Sequence, residues 1–185
     1  MERARTVAGA RWWLVGALLA AGVAQGRQVA GVRMPEQLVL EGREVWLAHM
    51  ELHERFWFNV YVWGLYLERI PQEDSEAIST NGVKCLRFRF LRTIRRDQLV
   101  DAFRGGLAGH EALRAPGMRQ DLERLLSTLR DVSDGDELVL TYVPGAGLHV
   151  AGKASGGILI PGKGFADALF TVWLERHPIF KKQAR

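Results

Sequence analysis

The segment from Glu54 to Glu68, ERFWFNVYVWGLYLE, constrains what this chain can fold into more than any other stretch. Its aromatic residues (Phe56, Trp57, Phe58, Tyr61, Trp63 and Tyr66) stand among Val60, Val62, Leu65 and Leu67. Aromatic and β-branched side chains at this density favour a pleated strand. With period two, one face carries Trp57, Asn59, Tyr61, Trp63, Leu65 and Leu67, and the other Phe56, Phe58, Val60, Val62, Gly64 and Tyr66. Both faces are apolar, so the segment is expected in the middle of a sheet covered on both sides. At about 3.3 Å per residue an unbroken strand would run roughly 50 Å. Gly64 is therefore the expected place for a bulge or sharp bend.

The rest of the chain reads outward from this segment. Arg27 to Arg33 is expected to be a short leader. Glu36–Leu40 and Glu44–Leu47 alternate polar and apolar residues around Glu41-Gly42-Arg43, which predicts a hairpin. Pro71–Asn81 is a polar turn with a short helix at Ser75–Ser79. Val83–Leu91 is a strand with Leu86, Phe88 and Phe90 on one face and Arg87 and Arg89 on the other. The period then changes. Leu99, Phe103 and Leu107 recur every four residues in Arg95–Leu107, and Met118, Leu122, Leu125, Leu126 and Leu129 repeat the pattern in Met118–Arg130. Both are amphipathic helices, the second introduced by Pro116. Glu137–Val143, Leu148–Ala151 and Ile158–Ile160 are strands, and Phe165–Leu174 is a final helix. Strands, then helices, then strands and a helix make an α+β chain rather than a βαβ alternation.

The 185 residues suit one domain. Net charge is +4, but residues 1–26 hold Arg3, Arg5 and Arg11 against Glu2, so the remainder carries 22 basic to 20 acidic side chains. That near balance gives no support for a nucleic-acid partner. The N-terminal stretch reads as an export signal: a basic start, the apolar run Trp12–Val23, and small residues before a cut between Gly26 and Arg27, with a cut after Ala24 as the alternative. The apolar run has twelve residues, too few to cross a bilayer core of about 30 Å as a helix. Residues 1–26 are thus expected to be a signal peptide and 27–185 the mature domain, exported and periplasmic, with no stable membrane span after removal of the signal. The single cysteine, Cys85, excludes an internal disulfide and reads as buried.

Motifs for chemistry are sparse. His49 and His53 are four residues apart, roughly 13 Å on a strand, too far to share a metal ion, and His110, His149 and His177 read as surface or capping residues. No metal or other cofactor is expected. Pro161-Gly162-Lys163-Gly164 lacks the glycine-rich loop of a nucleotide site and reads as a helix entry. No nucleophile elbow occurs, so hydrolase chemistry has no support.

Several segments together resemble the chalcone isomerase-like superfamily. They are FWFNVYVWGLYLE at 56–68, LRFRFLR followed by DQLVDAF, LVLTYVPGAG at 138–147, and a glycine-flanked hairpin before the helix at 165–174 with Pro178 just after. The resemblance covers residues 29–182. It implies an open-faced β-sandwich, a large mainly antiparallel sheet with helices packed on one face. It also implies one of two activities: closure of a chalcone ring, or non-catalytic binding of a fatty acid between sheet and helices. In the family an arginine near the start of the long strand meets the polar end of the ligand, and a tyrosine further along assists.

Carried over by position, the tyrosine is Tyr66 and the earlier V-Y tyrosine is Tyr61, while the arginine falls on His53 and the lysine of the F-K-V-Y motif on Asn59. Arg55 lies two residues past His53, on the same face of a regular strand, and would supply the guanidinium. A bulge at Gly64 would turn Tyr66 to that face. The resulting expectation is an exported, non-catalytic carrier for a fatty acid or similar amphipathic molecule. Its ligand residues are Tyr66, Tyr61, Arg55, His53 and Asn59, with no catalytic residue assigned. The alternatives are an isomerase or lyase acting on a phenolic or enone substrate, and a structural or partner-binding module whose pocket is filled by its own side chains.

Overall fold

The computed structural model describes residues 26–107 and 109–180. The expected signal peptide therefore lies outside the described residues, except Gly26, which opens the first strand. In chain order the strands are β1 (Gly26–Val29), β2 (Val32–Pro35), β3 (Gln37–Leu40), β4 (Arg43–Arg55), β5 (Phe58–Leu67), β6 (Lys84–Phe90), β7 (Glu137–Val143), β8 (Gly147–Ala151) and β9 (Ile158–Pro161). The helices are α1 (Asp74–Ser79), α2 (Arg96–Leu107), α3 (Pro116–Thr128) and α4 (Gly164–Arg176), with a 3₁₀ turn at Glu111–Leu113. Strands β3 to β9 form one antiparallel sheet in strict sequence order. The helices pack on one face of it, so the α+β, open-faced sandwich architecture holds.

Hydrophobic periodicity explains the two layers. On the helix side, Trp63, Leu65 and Leu67 of β5 and Leu86, Phe88 and Phe90 of β6 are buried, together with Leu138 and Leu140 of β7. Against them lie Leu99, Val100 and Leu107 of α2, Leu122, Leu125 and Leu126 of α3, and most of α4. Helix α4 is apolar on more than one side because it packs on the sheet and is flanked by α1, α3 and the 3₁₀ turn. On the outer face, Val62 and Tyr66 of β5 are buried with Val45 and Leu47 of β4, Cys85 of β6 and Met34 of β2. Residues 27–33, expected as a leader, are instead part of the β1–β2 hairpin, which lays Met34 on this face. Pairing with β2 satisfies the backbone of β1, a long-range effect that a local reading of seven residues does not contain.

The Glu54–Glu68 segment is not one strand. It turns at Phe56-Trp57, with Arg55 paired to Phe58, so β4 and β5 are the two arms of a hairpin. Phe56 and Trp57 both adopt positive φ, 48° and 67°, as a two-residue type I′ turn requires. Aromatic side chains rarely fill such a turn, which is why periodicity carried the strand straight through it. The expectation that neither apolar face meets water holds for Val62 to Leu67 and fails at the tip, where Trp57 is 99% exposed.

Gly64 is not a bulge either. It sits in regular register between Met50 and Arg87. The irregularities lie nearby, at Ala48, which is passed over between the Leu47 and His49 pairings, and at Val60, passed over between Tyr61 and Asn59. Gly64 is needed for a different reason. A Cβ there would lie 2.6 Å from Met34 Sδ and 3.0 Å from Leu47 Cδ1, so its absence lets the outer hairpin approach the sheet.

Gly147 is constrained more severely. Its φ is 138°, and an added Cβ would strike the Ile160 carbonyl oxygen and lie 2.8 Å from Pro161 Cα. Backbone has no rotamer by which to move away, whereas the thioether of Met34 does. Gly147→Ala is therefore expected to cost about 3 kcal/mol and Gly64→Ala about half that. Urea unfolding of the two variants should rank their midpoints in that order, and the opposite order would contradict the assignment.

Candidate functional site

The bulges in the β4–β5 pair place alternate residues of β4 on the helix side. His49 lies opposite Leu65, Glu51 opposite Trp63, and His53 opposite Tyr61. Helix α4 brings Trp173 and, one turn later at its C-terminus, His177 over the same corner. The result is one aromatic and imidazole cluster. His53 stacks on Tyr61 with ring centres 4.6 Å apart and planes at 11°. His177 stacks on Trp173 at 4.7 Å and lies 5.3 Å from Trp63 and 6.5 Å from His53. Trp63 meets Trp173 edge-on at 5.2 Å, and His49 lies 5.0 Å from Trp63. Phe88 closes the apolar side, edge-on to Tyr61, Trp173 and Phe103.

Among the described residues, two donors of this cluster go unpaired, although Glu51 and one nitrogen of each neutral imidazole can accept. The indole N–H groups of Trp63 and Trp173 are both buried, and neither has an acceptor among the described residues. A buried donor left unpaired costs roughly 1–3 kcal/mol, so two in one cluster call for a reason. Burial lowers the pKa of His53, with Glu51 opposing the shift and Arg55 adding to it. Burial likewise lowers that of His177, against Glu51 and with His53, Arg176 and His49. Both imidazoles are therefore neutral at pH 7. Burial, reinforced by Glu51, drives the Tyr61 phenol upward, so it remains a donor. The Glu51 carboxylate accepts from the His49 Nε2–H at 3.4 Å. Among the described residues no group of three or more His, Cys, Asp or Glu is arranged to hold a metal.

The ligand residues expected from the sequence divide. His53 and Tyr61 are together in the cluster. Arg55 stands at the end of β4, its guanidinium 5.3 Å from the Phe56 ring centre, near enough to act on His53. Asn59 is exposed near the turn, opposite Glu54. Tyr66 is on the other face of the sheet, where its hydroxyl donates to the Pro35 carbonyl at 3.0 Å and burial pushes its pKa up to about 12. With no bulge at Gly64, the strand's parity holds and Tyr66 cannot join His53. Trp173 and His177 complete the cluster instead. Their i, i+4 spacing on a helix is visible in the sequence, but their meeting with β4 is not.

A second polar site was legible and missed. Lys84 precedes Leu86, Phe88 and Phe90 on the same face of β6, so strict alternation aims it at the core. It is 2% exposed. Its ammonium donates to the Ile78 carbonyl, lies 3.6 Å from Asp167 Oδ1, and sits 5.6 and 5.8 Å from the Tyr142 and Phe170 ring centres. Asp167 is shared with Lys163. A small pocket of about 20 Å³ lies alongside, lined by Pro71, Glu76, Gly82 and Lys84 among others. It has room for about one water and is remote from His53. On the outer face Arg87 grips Glu137 through Nε and Nη2 at 2.8 to 3.2 Å, and Arg89 joins at 3.0 Å, so these arginines are tied down rather than free in solvent.

Desolvation lowers the Lys84 pKa to about 8, despite Asp167. The unfolded chain binds this proton up to roughly pH 10.4, so between those limits the unfolded state holds more protons and stability rises with pH. The contribution of Lys84 should approach about 3 kcal/mol between pH 7.5 and 10.5, opposed above about pH 9 by Cys85, whose thiol is pushed by burial up to about 11. Lys84→Met should lack it when urea midpoints are compared across that range.

Comparison with known proteins agrees with this geometry at the level of fold. The crystal structure of a fatty-acid-binding protein of Arabidopsis thaliana superposes with a TM-score of 0.58, covering 84% of this chain and 91% of that one at 13% sequence identity. No curated protein sequence matches the chain. The chalcone isomerase-like family matches residues 26–183, nearly the whole folded chain, and the protein belongs to that family.

Proposed function

We propose that the protein binds, without transforming, an amphipathic carboxylate of the fatty-acid class. The head group would lie at the cluster of His53, Tyr61, Trp63, Trp173 and His177, and the tail between the sheet and α2. The observation that carries the reading is the pair of buried indole donors without acceptors. A carboxylate offers about four lone pairs and no proton, which complements a site built from N–H and O–H groups. The fatty-acid-binding neighbour supports the same class of ligand. Each methylene of a buried tail contributes about 0.8 kcal/mol, so ten give about 8 kcal/mol before association costs.

In the structure the space beneath α2 is filled, chiefly by Phe103 against Phe88. Helix α2 is the element suited to yield. It buries just Leu99, Val100 and Leu107, and its last turn contains Gly105-Gly106. An isomerase of the chalcone type needs a fixed cation beside a phenolate; His53 stands where the family's arginine would, and the nearest guanidinium, Arg55, lies over the Phe56 ring at 5.3 Å. The basic and apolar residues of the N-terminal stretch support a carrier that works outside the cytoplasm. Amino-terminal sequencing of the secreted protein would test that placement, with Arg27 as the expected first residue.

Titration with a soluble medium-chain fatty acid, followed by calorimetry, tests the binding reading. His53→Ala and Trp173→Phe should each weaken affinity about tenfold, the loss of one charge-assisted hydrogen bond. Tyr66→Phe should leave it unchanged. Affinity should also depend on pH with a definite sign. His53 and His177 have lowered pKa values in the free protein, and a bound carboxylate would raise them, so binding takes up protons and tightens as pH falls from 7.5 to 5.5. Absence of binding at either pH would remove the proposal.

A further inference from the structure

Three hairpins in this chain close with two-residue turns, and they provide an internal comparison. The β1–β2 turn is Ala30-Gly31, and the β3–β4 turn is Glu41-Gly42. Both place glycine at the second position, with φ of 81° and 74°. The β4–β5 turn has the same backbone requirement and fills it with Phe56-Trp57. Phe56 is 75% exposed, Trp57 99% and Phe58 59%. Three large apolar side chains are thus held in water, two of them on a backbone that asks for Asn-Gly. Strain and exposed apolar surface at one point mark function rather than folding.

The charges around the tip indicate what it meets. Arg55 lies over the Phe56 ring at 5.3 Å and Arg92 over the Phe58 ring at 5.0 Å. Among the described residues neither guanidinium has a carboxylate partner, although Glu54 is exposed nearby. Aromatic rings with arginines beside them suit the boundary between acyl chains and head groups, and the arginines complement anionic head groups. A protein interface typically needs about 800 Å² from each partner, more than a two-residue turn can offer. A bilayer surface admits a few aromatic side chains and requires no matching shape.

We propose that the β4–β5 tip docks the protein on a lipid bilayer surface bearing anionic head groups, with Phe56, Trp57 and Phe58 entering the interface and Arg55 and Arg92 at the phosphates. His53 lies two residues before Arg55 on β4, so docking brings the donor cluster close to the membrane. The docking itself does not depend on what that cluster binds.

The test uses the chain from Gly26 onward, the first described residue, and compares it with Phe56→Asn/Trp57→Gly, which installs the residues the turn prefers. Vesicles of phosphatidylcholine alone and with phosphatidylglycerol are sedimented with each protein. The parent should bind the anionic vesicles at least tenfold more strongly than the neutral ones. The double variant should lose that binding by at least tenfold while its urea midpoint rises, so loss of folding cannot explain the loss of docking. Arg55→Gln/Arg92→Gln should weaken binding to anionic vesicles and leave the residual binding to neutral ones. Affinity of the Phe56→Asn/Trp57→Gly variant for a soluble fatty acid should match the parent, which separates failure of docking from failure of the carrier reading. Lack of vesicle binding by the parent at low salt, or binding undiminished in the double variant, would overturn the proposal. So would a tip-dependent dimer in solution in place of vesicle binding.

Discussion

A strand dry on both sides sets the terms for everything else in this molecule. From Val62 to Leu67, β5 has no wet face. Its odd-numbered residues need helices, and its even-numbered ones need the outer hairpin. Both covers are then specified by the sheet they must fit. Met34 reaches the outer face because Gly64 leaves space for it, and α4 is apolar on several sides because Trp63 and its neighbours on β6 demand a broad lid. The polar groups that accompany these covers are compromises. Tyr66 finds the Pro35 carbonyl, and Lys84 finds the end of α1 and Asp167, since neither can remain unpaired in such surroundings.

The two ends of the helix-facing layer handle polarity in opposite ways. At Lys84 a positive charge is enclosed and met by a carbonyl, a carboxylate and two ring faces. At the His53 cluster burial lowers the pKa of both imidazoles, and two buried indole N–H groups have no acceptor among the described residues. The first arrangement pairs its charge within the fold and reads as structural, although Asp167 Oδ1 is itself buried without a hydrogen-bond donor among the described residues. The second is complete only with something added, which is why the carrier reading rests there rather than at the better-formed small pocket beside α1. The tightly packed interior is compatible with that reading because α2 contributes few buried side chains. An opening there exposes little of the core.

Much of the architecture was legible in the residues. Period two located β6, β7 and the short C-terminal strands, and the change to a spacing of four located α2 and α3. What escaped was decided by pairing across distance or by backbone conformation. Residues 27–33 look like a tail until β2 pairs with β1. Phe56-Trp57 looks like strand because side-chain propensity says nothing about φ, and the turn overrides it. That single misplacement also carried the bend to Gly64 and hence Tyr66 to the wrong face. Half the donor cluster was visible in His53 and Tyr61. The other half, Trp173 and His177, lies more than a hundred residues away, where no local pattern connects them.

The order of the strands bears on how the chain assembles. Every neighbour in the main sheet is also the next strand in sequence, so the sheet can zip from one hairpin to the next with little loop-closure cost. The helix layer has no such convenience. Trp63 waits for Trp173 and His177, and the Asp74 carboxylate accepts from the backbone N–H groups of Ile179 and Phe180 only once the far end arrives. During synthesis the sheet would therefore be in place while its inner face was still uncovered. The Trp63 indole would be among the last surfaces to leave water, making it a natural fluorescent clock for completion of the fold.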